Sequence, residues 1–266
     1  MINMEKLLQL DKRAFTDLTN PLDKISYIQH QFAHVFTFEN LDLLMKNEEK
    51  VTKQFLEQKL LTDVRGGLCF ELNGALNIVL RRLGIDVYFG VATVWGEDGW
   101  IIDKTHTINI FDYEGNTYII DSGSGTNLTL HPLAIDGDSV TTLAGTFRVR
   151  TESTERGSYI AERLTEDGWT LRYAFTLDEV PFDDLQRIKQ LVLTHPESPF
   201  NKDVLVAKMT DVGTLSINNE RLNEKRENGK QIRHTFSTDE EMLAAIKQHA
   251  SSATYAVAKQ YVNSKK

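Results

Sequence analysis

The sequence predicts an α+β protein of three consecutive subdomains. They are an N-terminal helical bundle over 1–85, a central antiparallel β-sheet or barrel over 86–185, and a C-terminal α/β lid over 186–266. Two observations carry this. Apolar residues recur at helical spacing in the first third and switch to period two after residue 85. Helical and strand patterns then mix in the last third. At 266 residues the chain lies near the size where a single core stops growing, which suits a few small subdomains.

In LDKISYIQHQFAHVF, Leu22, Ile25, Ile28 with Gln29, and Phe32 lie at helical spacing. NEEKVTKQFLEQKLL reads as a second, more charged helix. A third covers 69–83, where Leu72, Leu76, Val79, Leu80 and Leu83 form one apolar stripe and Gly84 supplies the stop. IDVYFGVATVW alternates as a strand does. HTINIFDY and NTYIIDSG are two more strands around Tyr113-Glu-Gly-Asn116, and TFRVR and GWTLRYAFTL continue the pattern. DDLQRIKQLVL is a short helix. DVLVAKM, GTLSIN and QIRHTFS are strands, with a hairpin turn at Asn228-Gly229. Ser237-Thr-Asp-Glu240 reads as a capping box opening a final helix, MLAAIKQ.

Composition narrows the function classes. A net charge of −8 argues against nucleic acid and anionic membrane as partners. No apolar run approaches the roughly 18 residues of a membrane span. MINMEKLLQLDKR carries acids and has no apolar core of its own, so no signal peptide is expected. A single cysteine forms no internal disulfide, which fits a reducing, cytoplasmic setting.

That cysteine, Cys69, sits in Arg65-Gly-Gly-Leu-Cys-Phe-Glu-Leu-Asn-Gly74. Two glycines permit a tight backbone, and a helix starts at or next to the thiol. A helix N-terminus favours thiolate over thiol. Cys69 is either a buried small hydrophobe or a nucleophile, and a nucleophile needs a basic partner.

A hairpin supplies one. A turn centred on Glu114-Gly115 pairs Asp112 with Thr117, His106 with Gly123 and Asp121 with Ile108. His106 and Asp121 are then diagonal neighbours on one face, about 7–8 Å apart at Cα. A slip of one residue would separate them. Asp121 ends the apolar run Tyr118-Ile-Ile120, where a charge requires a partner. The pair is either the base and orienter of a triad or a structural bond at a sheet end. Asp121-Ser-Gly-Ser-Gly125 is a glycine-rich turn whose N–H groups suit an anion or polarised carbonyl, or an ordinary turn.

Together these pieces resemble the arylamine N-acetyltransferases, from about residue 5 to the final helix. RGGLCFELNG looks like that family's RGGxCFE motif, and Cys69, His106 and Asp121, spaced by 37 and 15 residues, match its triad order. Phe38-Glu-Asn-Leu41 resembles its FENL segment, and His195-Pro-Glu-Ser-Pro-Phe200 its SPF-type stretch. The resemblance implies a cysteine-protease-like triad and transfer of acetyl from acetyl-CoA to an arylamine or arylhydrazine, an activity of xenobiotic metabolism. It implies Cys69 as nucleophile, His106 as base and Asp121 as orienter, in a ping-pong scheme. For CoA it points to Thr105, to Gly123, Ser124 and Gly125, and to Asn73. It places Arg65 and Glu39 as structural charges at the helical–β junction. The remaining histidines show no ligand spacing, so no metal is expected. Ser122 and Ser124 stand where the family usually has Val and Phe, which removes an aromatic surface for an arylamine ring. A cysteine hydrolase or transglutaminase-like enzyme uses the same residue order. A non-enzymatic relative that binds small aromatics is the third reading.

Overall fold

The computed structural model describes Leu8, residues 11–227 and residues 229–265. The first segment holds α1 (Lys12–Asp17), α2 (Pro21–Val35), β1 (Phe38–Glu39), α3 (Leu41–Leu44), α4 (Lys53–Leu56), a π-helical turn (Glu57–Thr62) and α5 (Cys69–Arg82). The α2 start has a clear local cause. The Asn20 side chain accepts from Leu22 N–H at 2.9 Å, and Pro21 occupies the first turn, where its missing N–H costs nothing. Ile25, Ile28, Gln29 and Phe32 are buried as the spacing predicts.

Two expectations here need correction. The second helix does not run through NEEKVTKQFLEQKLL. Asn47 Oδ1 accepts from Glu49 N–H, and Val51 N–H donates to Gln186, so the segment before Thr52 is held off helix. The helix begins after Thr52, which caps Phe55 N–H, and widens into the π turn after one turn. In α5, every residue from Cys69 to Leu80 is buried, so it is a core helix and not one with a single apolar stripe, and Leu83 lies exposed past its end.

The middle segment supplies β2 (Tyr88–Gly96), β3 (Gly99–Trp100), β4 (His106–Tyr113), β5 (Asn116–Ile120), β6 (Leu133–Ala134), β7 (Val140–Thr142), β8 (Gly145–Thr154), β9 (Gly157–Thr165) and β10 (Gly168–Phe175). They form an antiparallel sheet in the order β6-β5-β4-β2-β10-β9-β8-β7, with β3 attached to β2. The sheet curls until Ile135, just past β6, bridges Val149 of β8, so the barrel nearly closes. Asp136 reinforces this seam, accepting from Thr151 N–H at 2.8 Å and Thr151 Oγ1 at 2.6 Å. Ile108, Ile110, Ile119, Phe147, Val149 and Phe175 belong to the core cluster of this sheet.

The last segment holds α6 (Asp184–Thr194), β11 (Val206–Thr210), β12 (Gly213–Ile217), β13 (Arg221–Arg226), β14 (Gln231–Thr235), α7 (Asp239–His249) and α8 (Ser252–Ser264). Its sheet runs β1-β11-β12-β13-β14, so the N-terminal segment contributes the edge strand. Leu185, Ile188 and Val192 of α6 join the core of α5, which ties the segments together. MLAAIKQ is not in the final helix. The chain continues into α8, whose inner face is Thr254, Ala258, Tyr261 and Val262, too small and polar to read as a stripe. The cap of α7 is Thr238, accepting from Glu241 N–H, with Glu241 reaching back to Ser237 N–H, one residue later than the expected box. β13 was not expected, because Arg221-Leu-Asn-Glu-Lys-Arg226 shows little apolar alternation. Of the expected Asn228-Gly229 turn, Asn228 lies outside the described residues, and Gly229 has φ +78°. No helix among the described residues is long and apolar enough to cross a membrane.

Gly66 has no room for a side chain. A Cβ there would lie 2.0 Å from the Thr37 carbonyl oxygen. Gly66→Ala is expected to lose about 1–3 kcal/mol of stability, the usual range for overpacking, read as a lower urea midpoint. An unchanged midpoint would show that this backbone contact yields freely.

Candidate active site

The loop before Cys69 is held on two sides. Gly67 bridges Phe38 of β1, with Gly67 N–H donating to Thr37 O at 3.1 Å and Glu39 N–H to Gly67 O at 3.0 Å. Below it lies a buried cluster of charges. Arg65 reaches Glu39 at 2.6 Å and Asp42 at 2.7 Å, and Lys59 reaches Asp42 at 2.8 Å and Glu71 at 2.5 Å. Burial opposes the Asp42 charge, but Lys59 and Arg65 outweigh it and hold its pKa at about 2. Burial likewise opposes the Lys59 charge, yet the surrounding carboxylates raise its pKa. Glu71 also accepts from Leu68 N–H at 3.0 Å, half of a capping box at the start of α5. Arg65 and Glu39 are therefore placed at the expected junction. Lys59, Asp42 and Glu71 complete the cluster, and the sequence reading gave none of them a role.

Cys69 opens α5 and is 7% exposed, with its thiol 3.4 Å from the Thr105 carbonyl oxygen. His106 begins β4, opposite Ala92 of β2. Asp121 follows the last residue of β5. The β4–β5 ladder has the expected register, with Asp112 facing Thr117, and ends at Asn109–Ile120. Beyond that point the strands part, so the anticipated His106–Gly123 and Asp121–Ile108 pairs do not form. The side chains still meet, with His106 Nε2 2.8 Å from Asp121 Oδ2.

Asp121 is almost wholly buried and surrounded by donors. Asn73 Nδ2 at 2.9 Å and Gly123 N–H at 2.8 Å serve Oδ1, and Ser124 Oγ at 2.7 Å serves Oδ2 beside His106. Burial disfavours its charge, but His106, Ser124 and Asn73 hold its carboxyl well below the ordinary carboxylate range. Burial also pushes against the charge on His106. The Asp121 carboxylate, with the nearby Cys69, overcomes this and raises its pKa to about 10. Tyr173 packs on the His106 ring at 5.0 Å between centroids.

Cys69, Thr105, His106, Gly123, Ser124 and Gly125 line one cavity of about 390 Å³ with Phe38, Val94, Ile102, Arg172, Tyr173 and Phe200. Asn73, expected near CoA, does not reach it. It is fully buried and bridges Asp121, the Thr107 carbonyl at 2.6 Å and Ser122 N–H at 2.9 Å. The spacing of Asn73 and Asn77, one turn apart in an apolar helix, is the signal for such a polar seam. Asn77 continues it to Asn109 at 2.9 Å. Gly123 packs against the start of α5, where a Cβ would meet Cys69 Cα at 2.7 Å. Arg172 and Tyr173 were missed, because alternation in a strand says nothing of a cavity. Among the described residues, no group of three or more His, Cys, Asp or Glu is placed to hold a metal.

A cysteine and an imidazole at one cavity wall, the imidazole's charge balanced by a buried carboxylate, is the arrangement of enzymes that work through a cysteine nucleophile. Comparison with known proteins narrows that class. The family model for N-acetyltransferase matches residues 21–251. An uncharacterized acetyltransferase of Bacillus subtilis, YvcN, is 40% identical over 202 residues, 75% of this chain and 79% of that protein. The arylamine N-acetyltransferase of Mycobacterium tuberculosis is 30% identical over 210 residues, 76% of this chain and 72% of that protein. Among solved structures, the Bacillus cereus arylamine N-acetyltransferase NAT3 superposes with a TM-score of 0.85 at 31% identity, covering 92% of this chain and 95% of that one. That enzyme is described as having a Cys-His-Glu catalytic triad, whereas here the carboxylate on His106 is Asp121. The arylamine N-acetyltransferase of Mycobacterium marinum, solved in complex with CoA, shares the fold with a TM-score of 0.84 at 22% identity, covering 98% and 97%. The chain belongs to the arylamine N-acetyltransferase family, a family of acyltransferases.

The His106 pKa sets a pH dependence. It is raised from an ordinary 6.5 to about 10, so the stability it contributes is complete below pH 6.5 and lost as pH rises through about 10. Asp121 acts in the opposite direction, its contribution present above the ordinary carboxylate range and lost in acid. The advantage of the wild type over His106→Gln in urea midpoint is expected to shrink between pH 6.5 and pH 10. A constant gap across that window would contradict a protonated His106.

Proposed function

We propose that the protein transfers an acetyl group from acetyl-CoA to the nitrogen of an arylamine or arylhydrazine through an acetyl-Cys69 intermediate. The observation that carries this reading is His106, held 2.8 Å from Asp121 at the wall of the cavity that Cys69 also lines. The Cys69 proton already resides on His106, as an ion pair. The thiolate attacks the thioester carbonyl, a tetrahedral oxyanion forms, and CoA leaves as its thiol with a proton from the imidazolium. The amine then attacks acetyl-Cys69, His106 receives the amine proton, and Cys69 is released. Asp121 holds the ring and balances its charge in both half-reactions. The N–H groups of the first helical turn have no partner within the helix, and the Cys69 N–H is the oxyanion donor.

CoA enters this scheme as a co-substrate. Support comes from the shared fold of the Mycobacterium marinum enzyme solved in complex with CoA. Thr105, Gly123, Ser124 and Gly125 remain the proposed contacts, since they line the cavity, and Asn73 is removed from that set. The mostly apolar wall, with Phe38, Val94, Ile102 and Phe200, suits a flat aromatic acceptor.

Intact-mass spectrometry of the protein mixed with acetyl-CoA, without amine, tests the intermediate. One added acetyl group mapped to Cys69, removed by a later dose of arylamine, is expected. Cys69→Ala is expected to show neither adduct nor turnover. No adduct on a thiol that still alkylates would move the protein to the cysteine hydrolases. His106→Gln and Asp121→Asn are each expected to slow turnover by about 10³–10⁴, as triad members do elsewhere. A loss below about tenfold would mean that the partner is misassigned.

A further inference from the structure

The strand β10 contains an irregularity at the cavity wall. Leu171 faces Glu162 and Tyr173 faces Ala161 on β9, which leaves Arg172 as an extra residue with no partner. In a regular strand, consecutive side chains point to opposite faces. Here Arg172 and Tyr173 both line the cavity that holds Cys69 and His106. A bulge re-aims a side chain in this way, and bulges concentrate beside active sites.

The re-aimed group has no direct partner. Neighbouring arginines on the same sheet are engaged: Arg148 and Arg150 reach Glu162 at 2.7 and 3.2 Å, and Arg163 donates to the Ala144 carbonyl at 2.8 Å. Among the described residues, the Arg172 side chain forms no hydrogen bond and no ion pair. Asp121 attracts it, but that carboxylate already serves His106, Asn73, Gly123 and Ser124. Burial and the nearby Arg163 both disfavour the Arg172 charge, although a guanidinium does not lose its proton in a protein. A half-buried cation that lines a largely apolar cavity without a protein partner is left free to take an anion. Guanidinium matches a carboxylate through two parallel hydrogen bonds.

We propose that Arg172 is a specificity-determining residue that receives a carboxylate of the substrate bound against Cys69. The proposal rests on the acyl-transfer reading for its kinetics, and it names the substrate feature that the cavity selects. The carboxylate belongs either to the amine acceptor or to the acyl group of the thioester, and both place an anion in the same cavity.

The test compares wild type, Arg172→Leu and Arg172→Lys. In the acceptor arm, kcat/KM is measured with acetyl-CoA for 4-aminobenzoate and for the uncharged 4-methylaniline. In the donor arm, the rate of Cys69 acylation is measured with malonyl-CoA and with propionyl-CoA. The ratio of charged to neutral substrate is expected to fall about 10- to 100-fold in Arg172→Leu, the range of a charge-assisted hydrogen bond. Arg172→Lys is expected to recover part of it. The arm in which the ratio falls identifies which substrate carries the carboxylate. A third readout needs no acyl transfer: benzoate is expected to slow alkylation of Cys69 by iodoacetamide more than benzamide does, and this difference is lost in Arg172→Leu. Ratios unchanged in both arms, or benzoate protection that survives in a folded Arg172→Leu, would overturn the proposal. If the wild type acquires no acetyl group at all, the acyl-transfer reading falls, and the benzoate comparison still decides the role of Arg172.

Discussion

One buried carboxylate organises the centre of this molecule. Asp121 stands where two strands part, out of reach of water, and a charge in that position is tolerated only if donors replace its hydration. The donors come from three separate pieces of chain: His106 from β4, Asn73 from α5, and Gly123 and Ser124 from the turn that follows. Solvating Asp121 therefore requires the core helix to lie on the barrel in a single position. The same act brings the start of that helix, and its thiol, to the imidazole. Asn73 is the clearest sign of this coupling, since its amide N–H group and its carbonyl both bind the strand side of the contact.

A second set of charges does for the loop what Asp121 does for the helix. Arg65 and Lys59 lie between three carboxylates, and each carboxylate belongs to a different structural piece: Glu39 to β1, Asp42 to α3, Glu71 to α5. Nearly dry ion pairs contribute little net stability against well-packed apolar groups, but removing one member leaves another uncompensated. Their effect is geometric. They hold the turn between the π-helical segment and α5, where Val64 takes φ +55°, an outlier for a β-branched residue. Behind a backbone held in this way, Cys69 has little freedom to drift from His106.

Much of the site was legible because local rules decide it. The turn at Glu114-Gly115 fixes the hairpin register, and register decides which residues share a face, so spacing alone makes His106 and Asp121 neighbours, while their roles are read from the family resemblance. The ladder stops earlier than spacing suggests, since Asp121 turns away to collect its donors. The positions of β2 and β4 and the stop at Gly84 also follow from local pattern, although both strands are buried on both faces and do not alternate. What stayed hidden depends on contacts between distant segments. The buried state of α5 on every side, the π turn under Lys59 and the role of Asn73 arise from what packs against them. A small-residue helix such as α8 has no apolar signature to find. The bulge at Arg172 adds one residue to a strand whose composition is ordinary, and only pairing with β9 exposes it.

The two-residue strand β1 has a consequence for how the protein is made. One edge of Phe38 meets Gly67, just before the thiol, and the other meets Ala207 in the last segment. Asn40 extends the link by donating to the Phe200 and Asp203 carbonyls at 2.9 and 2.7 Å. Contacts so far apart in sequence form late, because their loop-closure cost comes first. During synthesis, the helices and the barrel leave the ribosome before Ala207 does. A nascent chain at that stage carries its cysteine just after a loop whose supporting strand still lacks a neighbour. The reactive centre is thus framed only after the last segment has been made, well after the thiol and the imidazole themselves have been synthesised.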